Sequence, residues 1–210
     1  QTIYPALRRV PCVQFTRERW ETPDADFVDV DWAGPADATR LLVLFHGLEG
    51  SSSSHYARSI AAHATTAGWR CAVPHFRGCS GEPNRLPRAY HSGDSAEIDW
   101  MLRRLAARGA PVCAIGVSLG GNALLKWLGE QSEAARKVVT RAAAVSAPLD
   151  LTAAGNALDG GVNRLIYARI FLGTLRQRAI AKLARFPRLF DAQAVKNART
   201  LRAFDDVVTA

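Results

Sequence analysis

One pentapeptide, GVSLG at 116–120, constrains the fold of this 210-residue chain more than any other segment does. An apolar run at 112–117, typical of a buried strand, leads into it, and a helical pattern over 119–128 follows it. A serine in this G-x-S-x-G setting occupies a sharp, strained turn that exposes its hydroxyl above the sheet. Gly116 and Gly120 are expected at its flanks because the neighbouring strand and helix leave no room for a Cβ atom.

Strand and helix patterns alternate along the first 150 residues. Loose apolar alternation in 10–21 and 26–33 predicts a hairpin, and the apolar run at 41–45 predicts the first parallel strand. Further strands are predicted at 70–76, 112–117 and 141–146, with helices at 55–67, 94–109 and 119–128 between them. The predicted fold class is therefore α/β, a mostly parallel sheet of six readable strands with helices on both faces.

Two of the predicted helices have recognisable capping sequences. The serines at 51–54 offer N-caps for the helix that begins at His55. Asp94, followed three residues later by Glu97, has the spacing of a capping box. Both helix starts are therefore expected to be held by side-chain hydrogen bonds.

The positive charge of the chain is concentrated in its last 60 residues. The formal net charge is +8, and residues 151–210 contain ten Lys or Arg but four Asp or Glu. Apolar residues alternate with the basic ones at near-helical spacing, which predicts a basic helical cap at 151–210 beside a core at 1–150. A solvated helix face and a surface for an anionic ligand or membrane both fit this charge. Nucleic acid is not an expected partner, because no stacking aromatics or groove-reading motif accompanies the charge.

The cysteines and the hydropathy of the chain indicate where in the cell the protein is located. The four cysteines, at positions 12, 71, 79 and 113, lie far apart, which predicts reduced, partly buried thiols and a cytoplasmic location. The sequence begins with Gln1 instead of methionine, so removal of an N-terminal segment such as a signal peptide stays an open alternative. No transmembrane helix is expected. No cofactor is expected. No metal is expected either, since histidines, cysteines and acids do not group at metal-binding spacing.

A serine nucleophile needs a histidine base and two hydrogen-bond donors for the oxyanion that it creates. In a fold of this kind, the Leu119 amide supplies one donor and the loop after the first parallel strand supplies the other. The tripeptide His46-Gly47-Leu48 stands at that place, so the Leu48 amide is the expected second donor. Gly47 lets the backbone turn toward the site, and His46 is expected to tie down its loop and not to act as the base.

Five segments together carry a resemblance to a known family: LFHGLEGSSSSHYARSIA (44–61), HFRGCSGEPNR (75–85), YHSGD (90–94), GVSLGGNALLKWL (116–128) and FDDVVTA (204–210). They resemble the α/β-hydrolase superfamily, and more closely its YheT-like branch of predicted hydrolases. The resemblance implies Ser118 as nucleophile, Leu48 and Leu119 as oxyanion amides, and a helical cap at 151–210. It also implies a serine esterase acting on carboxylic esters, with some relatives acting on acylglycerols or phospholipids.

The resemblance places the catalytic acid and histidine after later strands, beyond Ala210. The sheet leads to the same expectation, because a parallel strand at 141–146 would form an open edge. Two further strand and helix units, on the order of 60 residues, would cover that edge. We therefore expect the last strands to lie outside this sequence. Asp150 is a weaker candidate for the acid, and four histidines are expected to be capping, core or surface residues: His55, His63, His75 and His91.

Three charged residues crowd one loop at the carboxyl end of a predicted parallel strand, the edge at which such sheets bind ligands. They are Arg77, Glu82 and Arg85. Substrate binding and pairing with one another fit them equally well.

Three hypotheses for the function stay open. The first is a serine hydrolase that forms an acyl-enzyme at Ser118 from a small-molecule or lipid ester. The second is a non-catalytic domain of the same fold that binds anionic lipid or a partner through its cap. The third is thioester hydrolysis or acyl transfer by the same serine. Dehalogenases and epoxide hydrolases are excluded because they need a carboxylate at position 118.

Overall fold

A computed structural model describes residues 12–161 and 169–208 of the chain. Its strands are β1 (Thr16–Glu21), β2 (Phe27–Ala33), β3 (Leu41–Phe45), β4 (Arg70–Pro74), β5 (Val112–Val117) and β6 (Arg141–Val145). Its α-helices are α1 (His55–Thr66), α2 (Ser95–Ala106), α3 (Leu119–Gln131), α4 (Leu151–Asp159), α5 (Arg169–Arg185), α6 (Ala192–Asn197) and α7 (Leu201–Val208). Residues 10 and 11 of the predicted hairpin, 162–168 of the predicted cap and 209–210 lie outside the described residues.

The six strands form one mixed sheet in the order β1-β2-β4-β3-β5-β6. β1 and β2 form the predicted antiparallel hairpin, and β2 also pairs antiparallel with β4. The pairs β3 with β4, β3 with β5, and β5 with β6 are all parallel. The predicted α/β fold class is confirmed.

Helices cover both faces of this sheet, as the alternation predicts. On one face, α2 and α3 bury a set of large side chains against the strands: Ile98, Met101, Leu102, Leu105, Leu124 and Trp127. Burial of each such side chain stabilises the fold by about 1.5–3 kcal/mol. On the other face, α1 packs through the small residues Ala57, Ala61 and Ala64.

The capping predictions fail in detail although the helices begin where expected. α1 begins after Ser54 and α2 after Asp94, yet neither side chain accepts a hydrogen bond from its helix. The hydroxyl of Ser54 accepts instead from the Ser51 amide at 3.1 Å. Glu97 accepts from Arg77 Nε at 2.6 Å, so the capping-box prediction is wrong because a buried guanidinium binds that carboxylate.

Contacts divide the chain into two compact units. The core unit contains the residues up to Asn84 together with Ala89–Ala147, and the helical unit contains Arg85–Arg88 together with the residues from Pro148 onward. The sequence-based boundary at 150 therefore differs by three residues, and it also left 85–88 in the core. Those four residues join the helical unit, where Lys182 Nζ donates to the Arg88 carbonyl at 2.7 Å.

The helical unit has an apolar cluster of its own. It contains Leu172, Ala179, Val195, Ala198, Leu201 and Phe204. The cluster draws on α5, α6 and α7, which shows that the near-helical spacing in the sequence corresponds to helices that pack on one another. None of the helices in the described ranges combines the length and apolar character that crossing a bilayer requires.

β6 lies at one edge of the sheet, and all five of its residues are exposed. Its described partner is β5, and Thr140, just before it, donates to the Val112 carbonyl at 2.8 Å. The structure thus has the open edge that the sequence predicts. All four cysteines are free thiols in the structure: Cys71 and Cys79 are buried, Cys113 is half-buried and Cys12 is exposed. Burial raises the pKa of the Cys71 thiol to about 12.

Candidate active site

Ser118 lies at the turn between β5 and α3, in a backbone conformation that non-glycine residues rarely adopt. Its φ is 53° and its ψ is −118°. The turn is fixed on both sides, because the Ser118 amide donates to the Val145 carbonyl at 2.8 Å and the Ser118 carbonyl accepts from the Asn122 amide at 2.9 Å. A non-glycine residue held in this region is strained by about 1–3 kcal/mol. Such strain, kept in place by its surroundings, is typical of functional sites.

Two glycines make the turn sterically possible, as the sequence predicts. A Cβ atom on Gly116 would lie 2.5 Å from the Gly120 carbonyl oxygen, and one on Gly120 would lie 2.5 Å from the carbonyl oxygens of Phe45 and His46. All of these obstructing atoms belong to the backbone and cannot move aside. Gly121, which the sequence analysis did not single out, is also confined, with a Cβ position 2.9 Å from the Gly116 oxygen.

The loop after β3 lies directly beside the serine. A Cβ atom on Gly47 would be 3.2 Å from the Ser118 Cβ, so the absence of a side chain there permits the close approach. Within the described ranges, no acceptor is paired with the Leu48 amide or the Leu119 amide. The Leu119 amide also belongs to the first turn of α3, where the helix dipole favours negative charge. Oxyanion binding by these two amides stays a prediction.

His46 is buried and uses both ring nitrogens to hold this loop. Its Nδ1 lies 2.8 Å from the Gly47 carbonyl oxygen, and its Nε2 accepts from the Phe76 amide at 3.1 Å. This assignment requires a neutral ring with the proton on Nδ1. A histidine with both nitrogens committed in this way is unsuited to act as a base, in keeping with the expectation from sequence.

The other histidines are also engaged away from the serine. His75 is buried, and its Nε2 lies 3.2 Å from Asp31 Oδ2. The remaining three lie on or before helices, half-buried or exposed: His55, His63 and His91. Among the described residues, no histidine is hydrogen-bonded to Ser118. Asp150 accepts from the Ala153 amide at 2.8 Å and so caps α4, which is a structural role.

The three charged residues predicted in one loop have different surroundings. Arg77 has a side chain that is 3% exposed, and it donates to the carboxylates of Asp24, Asp26 and Glu97 at 2.8, 3.1 and 2.6 Å. Burial lowers the pKa of Arg77, but the carboxylates of Asp24 and Glu97 outweigh that effect and raise it above its usual value. The same guanidinium holds the pKa of Asp24 at about 2. This environment points to a structural role and argues against substrate binding by Arg77.

Glu82 and Arg85 do not belong to the buried cluster of charges around Arg77. Glu82 Oε2 accepts from Arg19 at 2.6 Å in an exposed pair, and Arg85 belongs to the helical unit. Exposed pairs of this kind contribute little to stability, with a median below about 1 kcal/mol. Substrate binding by these two residues stays a prediction.

Replacing Arg77 by methionine is expected to destabilise the protein by about 3–5 kcal/mol, because Asp26 and Glu97 would lose a cation while remaining buried. Their side chains are 0% and 2% exposed. The measurement is urea unfolding followed by circular dichroism. Arg103→Met is the control, since Arg103 pairs with Asp99 at the surface and its loss should change stability by less than about 1 kcal/mol. Equal effects of the two substitutions would contradict the structural role of Arg77.

Sequence reasoning missed a ladder of ion pairs between β1 and β2. Arg17 stands opposite Asp31 and Arg19 opposite Asp29, with guanidinium to carboxylate distances of 2.7 and 2.8 Å. Burial raises the pKa of Asp31, but hydrogen bonds from Arg17, His75 and Ser52 outweigh it and hold the pKa below its usual range. The signal was present, because an R-x-R strand faces a D-x-D strand across the hairpin.

Sequence reasoning also missed two tyrosines that contact the loop beside Ser118. The Tyr56 hydroxyl accepts from the Gly47 amide at 2.9 Å. The Tyr90 hydroxyl accepts from the Glu49 amide at 3.0 Å and donates to Glu49 Oε1 at 2.7 Å. Tyr90 lies in the YHSGD segment that carries the family resemblance, but no local pattern links it to a loop 41 residues earlier.

Residues suited to a metal are not gathered anywhere in the described ranges: no three His, Cys, Asp or Glu side chains there could hold an ion together. The expectation of no metal and no cofactor stays a prediction. The candidate site contains a strained, half-buried serine, two amides that have no acceptor among the described residues, and a buried histidine that holds the loop.

The chain is similar to several curated proteins. It is 43% identical over 219 residues to the Escherichia coli (strain K12) protein named "Putative esterase YheT", an alignment that covers all of this chain and 63% of that protein. It is 29% identical to the phospholipase ABHD3 of Mus musculus, covering 99% of this chain and 53% of that protein. The chain thus spans between half and two thirds of the length of these two relatives.

Solved structures share the fold at low sequence identity. An esterase of Pyrococcus furiosus, Pf2001, superposes with a TM-score of 0.54 at 18% identity, over 76% of this chain and 64% of that one. An alpha-beta serine hydrolase homologue from Coxiella burnetii superposes with a TM-score of 0.52 at 16% identity, over 65% of this chain and 64% of that one.

A family model described as the alpha/beta hydrolase fold matches residues 40–200. This range contains the serine turn, the loop after β3 and most of the helical unit. The matched range is well over half of the 210 residues, and the sheet order, the strained serine and the relatives agree with it. The chain therefore belongs to the alpha/beta hydrolase fold family and is similar to YheT within it.

Proposed function

We propose that the protein containing this chain is a serine hydrolase that cleaves carboxylic esters through an acyl-enzyme at Ser118. The observation that carries the proposal is the position of this serine at φ 53°, beside a loop and a helix start that each keep an amide available. The name of the relative YheT, a putative esterase, is in keeping with this activity.

The reaction follows from the geometry in two steps. In the first, the Ser118 oxygen bonds to the ester carbonyl carbon, its proton passes to a base, and the carbonyl electrons move onto oxygen. The Leu48 and Leu119 amides donate to that oxyanion, which is the type of stabilisation worth about 10²–10³ in rate per donor. The oxyanion electrons then re-form the carbonyl, the bond from its carbon to the alcohol oxygen breaks, and the base gives its proton to that oxygen. Water then attacks the acyl-enzyme by the same sequence of steps, which releases the acid and restores the Ser118 hydroxyl.

The base and its acid partner are proposed to lie outside the 210 residues. All five histidines are described, and the two buried ones are committed to a loop and to Asp31. Asp150 caps a helix. That both groups follow Ala210 stays a prediction, so activity is to be measured on the full-length protein.

The test of the function is reaction of the full-length protein with a fluorophosphonate, followed by mass spectrometry of the intact protein and of its peptides. The expected result is one adduct, on Ser118, together with hydrolysis of p-nitrophenyl esters. No adduct and no hydrolysis would reject the proposal. A series of acyl chain lengths, a phospholipid and a thioester would then separate the short-chain, lipid and thioesterase alternatives, which use the same serine.

A second candidate is binding to an anionic lipid surface, either alongside catalysis or in place of it. Four large apolar side chains in the described part of the helical unit are exposed: Leu149, Leu151, Ile170 and Leu189. The sequence from 151 onward also carries the excess of basic residues. Exposed apolar residues next to basic ones are typical of surfaces that rest on membranes.

We expect the full-length protein to bind vesicles that contain anionic lipid at low salt. Salt at about 0.5 M should release it, because salt at this level strongly screens the attraction between basic side chains and anionic lipid. Cosedimentation with phosphatidylserine vesicles measures this, and neutral phosphatidylcholine vesicles are the control. Ile170→Ser is expected to weaken binding without changing fluorophosphonate labelling. Binding that is equal for both vesicle types and insensitive to salt would reject an electrostatic surface.

A further inference from the structure

In the loop beside Ser118, residues 47–50, all backbone amides but one donate a hydrogen bond to a described residue. The Gly47 amide donates to the Tyr56 hydroxyl, the Glu49 amide to the Tyr90 hydroxyl, and the Gly50 amide to the Gly47 carbonyl at 2.9 Å. Among the described residues, the Leu48 amide alone in this run of four has no acceptor. The loop therefore leaves one specific N–H group for a ligand.

The orientation of that N–H group is fixed through its own peptide plane. The Gly47 carbonyl and the Leu48 amide belong to one planar peptide group and point in opposite directions. The carbonyl oxygen accepts from His46 Nδ1 at 2.8 Å and from the Gly50 amide at 2.9 Å. These two donors on the oxygen side direct the Leu48 N–H to the other side.

The tyrosines hold the two neighbouring peptide planes. Tyr56 holds the peptide group between residues 46 and 47, through the Gly47 amide. Tyr90 holds the peptide group between residues 48 and 49, through the Glu49 amide. The second restraint is needed because Glu49 has a φ of 57°, which is unfavourable for a residue with a side chain. Tyr90 also donates to the Glu49 carboxylate and stacks on Phe76, with ring centroids 5.5 Å apart.

We propose that Tyr56 and Tyr90 are positioning residues that hold the peptide planes on both sides of the Leu48 amide, so that this amide alone is presented to the oxyanion. The inference rests on the proposed hydrolase function. It assigns a role to two side chains that do not touch the reacting atoms and act through the backbone of the loop.

The test compares Tyr90→Phe with the unaltered full-length protein in kcat, KM and affinity for a trifluoromethyl ketone. Such a ketone bonds to the serine oxygen, passes the serine proton to the base and places a negative oxygen among the oxyanion donors. Phenylalanine keeps the stacking on Phe76 and removes the hydroxyl alone. We expect kcat to fall by about 10- to 100-fold, less than the loss of a whole donor, with KM changed by less than about twofold. The inhibition constant of the ketone should rise by the same factor as kcat falls.

Thr22→Val is the matched control, because Thr22 has the same pattern of bonds elsewhere in the core unit. Its buried hydroxyl accepts from the Asp26 amide at 3.0 Å and donates to Asp24 Oδ1 at 2.6 Å. This substitution should reduce stability while leaving kcat and ketone affinity unchanged. Tyr56→Phe is the second test variant, with the same expected pattern, and it decides the matter if Tyr90→Phe does not fold.

The outcomes separate the inference from the function on which it rests. If Ser118 is labelled and both tyrosine variants keep kcat within about twofold, the positioning role is rejected and the hydrolase function stands. If Thr22→Val loses as much kcat as the tyrosine variants, the effect is general destabilisation and the role is also rejected. If the unaltered protein shows no labelling and no hydrolysis, the proposed function is rejected and the inference with it.

Discussion

Ser118→Ala is expected to lower ester turnover of the full-length protein by a factor of about 10⁴ or more and to abolish fluorophosphonate labelling, since removal of a nucleophile leaves only binding and the oxyanion donors. KM should change little, because the substitution removes one hydroxyl and leaves the rest of the site in place. The measurement is p-nitrophenyl ester hydrolysis with purified protein, after circular dichroism has shown that the fold is retained.

Ser118→Gly is the variant to compare with Ser118→Ala, because it removes the same hydroxyl and also relieves the backbone strain at position 118. Ser118 has a φ of 53°, which glycine adopts without strain. We expect Ser118→Gly to be about 1 kcal/mol more stable than Ser118→Ala in urea unfolding, and equally inactive. Residual activity near that of the unaltered protein in either variant would remove Ser118 from the reaction, and equal stability would show that the turn is not strained.

Gly120→Ala is expected to lower the free energy of unfolding by about 3 kcal/mol or more, with a corresponding loss of activity. A Cβ atom there would lie 2.5 Å from two carbonyl oxygens of the segment that ends β3. Neither can move without displacing β3 from the sheet or α3 from β3. Thermal unfolding and ester hydrolysis measure the two effects.

Gly129→Ala is the matched control on the same helix. Nothing lies within 4 Å of a Cβ atom at this position, which is in the last turns of α3. Alanine should therefore raise stability by up to about 1 kcal/mol through its higher helix propensity and leave hydrolysis unchanged. A destabilised Gly129→Ala, or a Gly120→Ala as stable as the unaltered protein, would show that close packing of α3 on β3 is not what requires the glycine.

The fold was largely predictable because its signals are local. β3 and β5 are continuous apolar runs, and the helices α1 and α2 end close to Gly68 and Gly109, whose φ values are 75° and 88°. Hydrophobic periodicity and glycine stops depend on neighbours in sequence, so they can be read from it directly. The capping box failed for the opposite reason, since Glu97 binds Arg77, a partner 20 residues away.

The backbone geometry of the candidate site was predictable for the same reason. The sharp turn at Ser118 and the need for glycine at 116 and 120 follow from the strand-turn-helix pattern, whereas the roles of Ser118 and of the Leu48 and Leu119 amides stay predictions. The side chains that hold this site do not follow from that pattern, because Tyr90 and Glu49 are 41 residues apart and Arg77 and Asp26 are 51 apart. Nothing in a single sequence states which polar side chains meet across such distances.

The membership of Arg85–Arg88 in the helical unit has a consequence for synthesis on the ribosome. The Arg88 carbonyl accepts from Lys182, which is 94 residues later in the chain. At a translation rate of about 5–20 residues per second, roughly 5–20 s separate the emergence of the two partners. The polypeptide before and after this segment has time to form the α1 and α2 layers of the sheet first. The helical unit to which Arg85–Arg88 belong is therefore completed only after α5, which contains Lys182, has been synthesised.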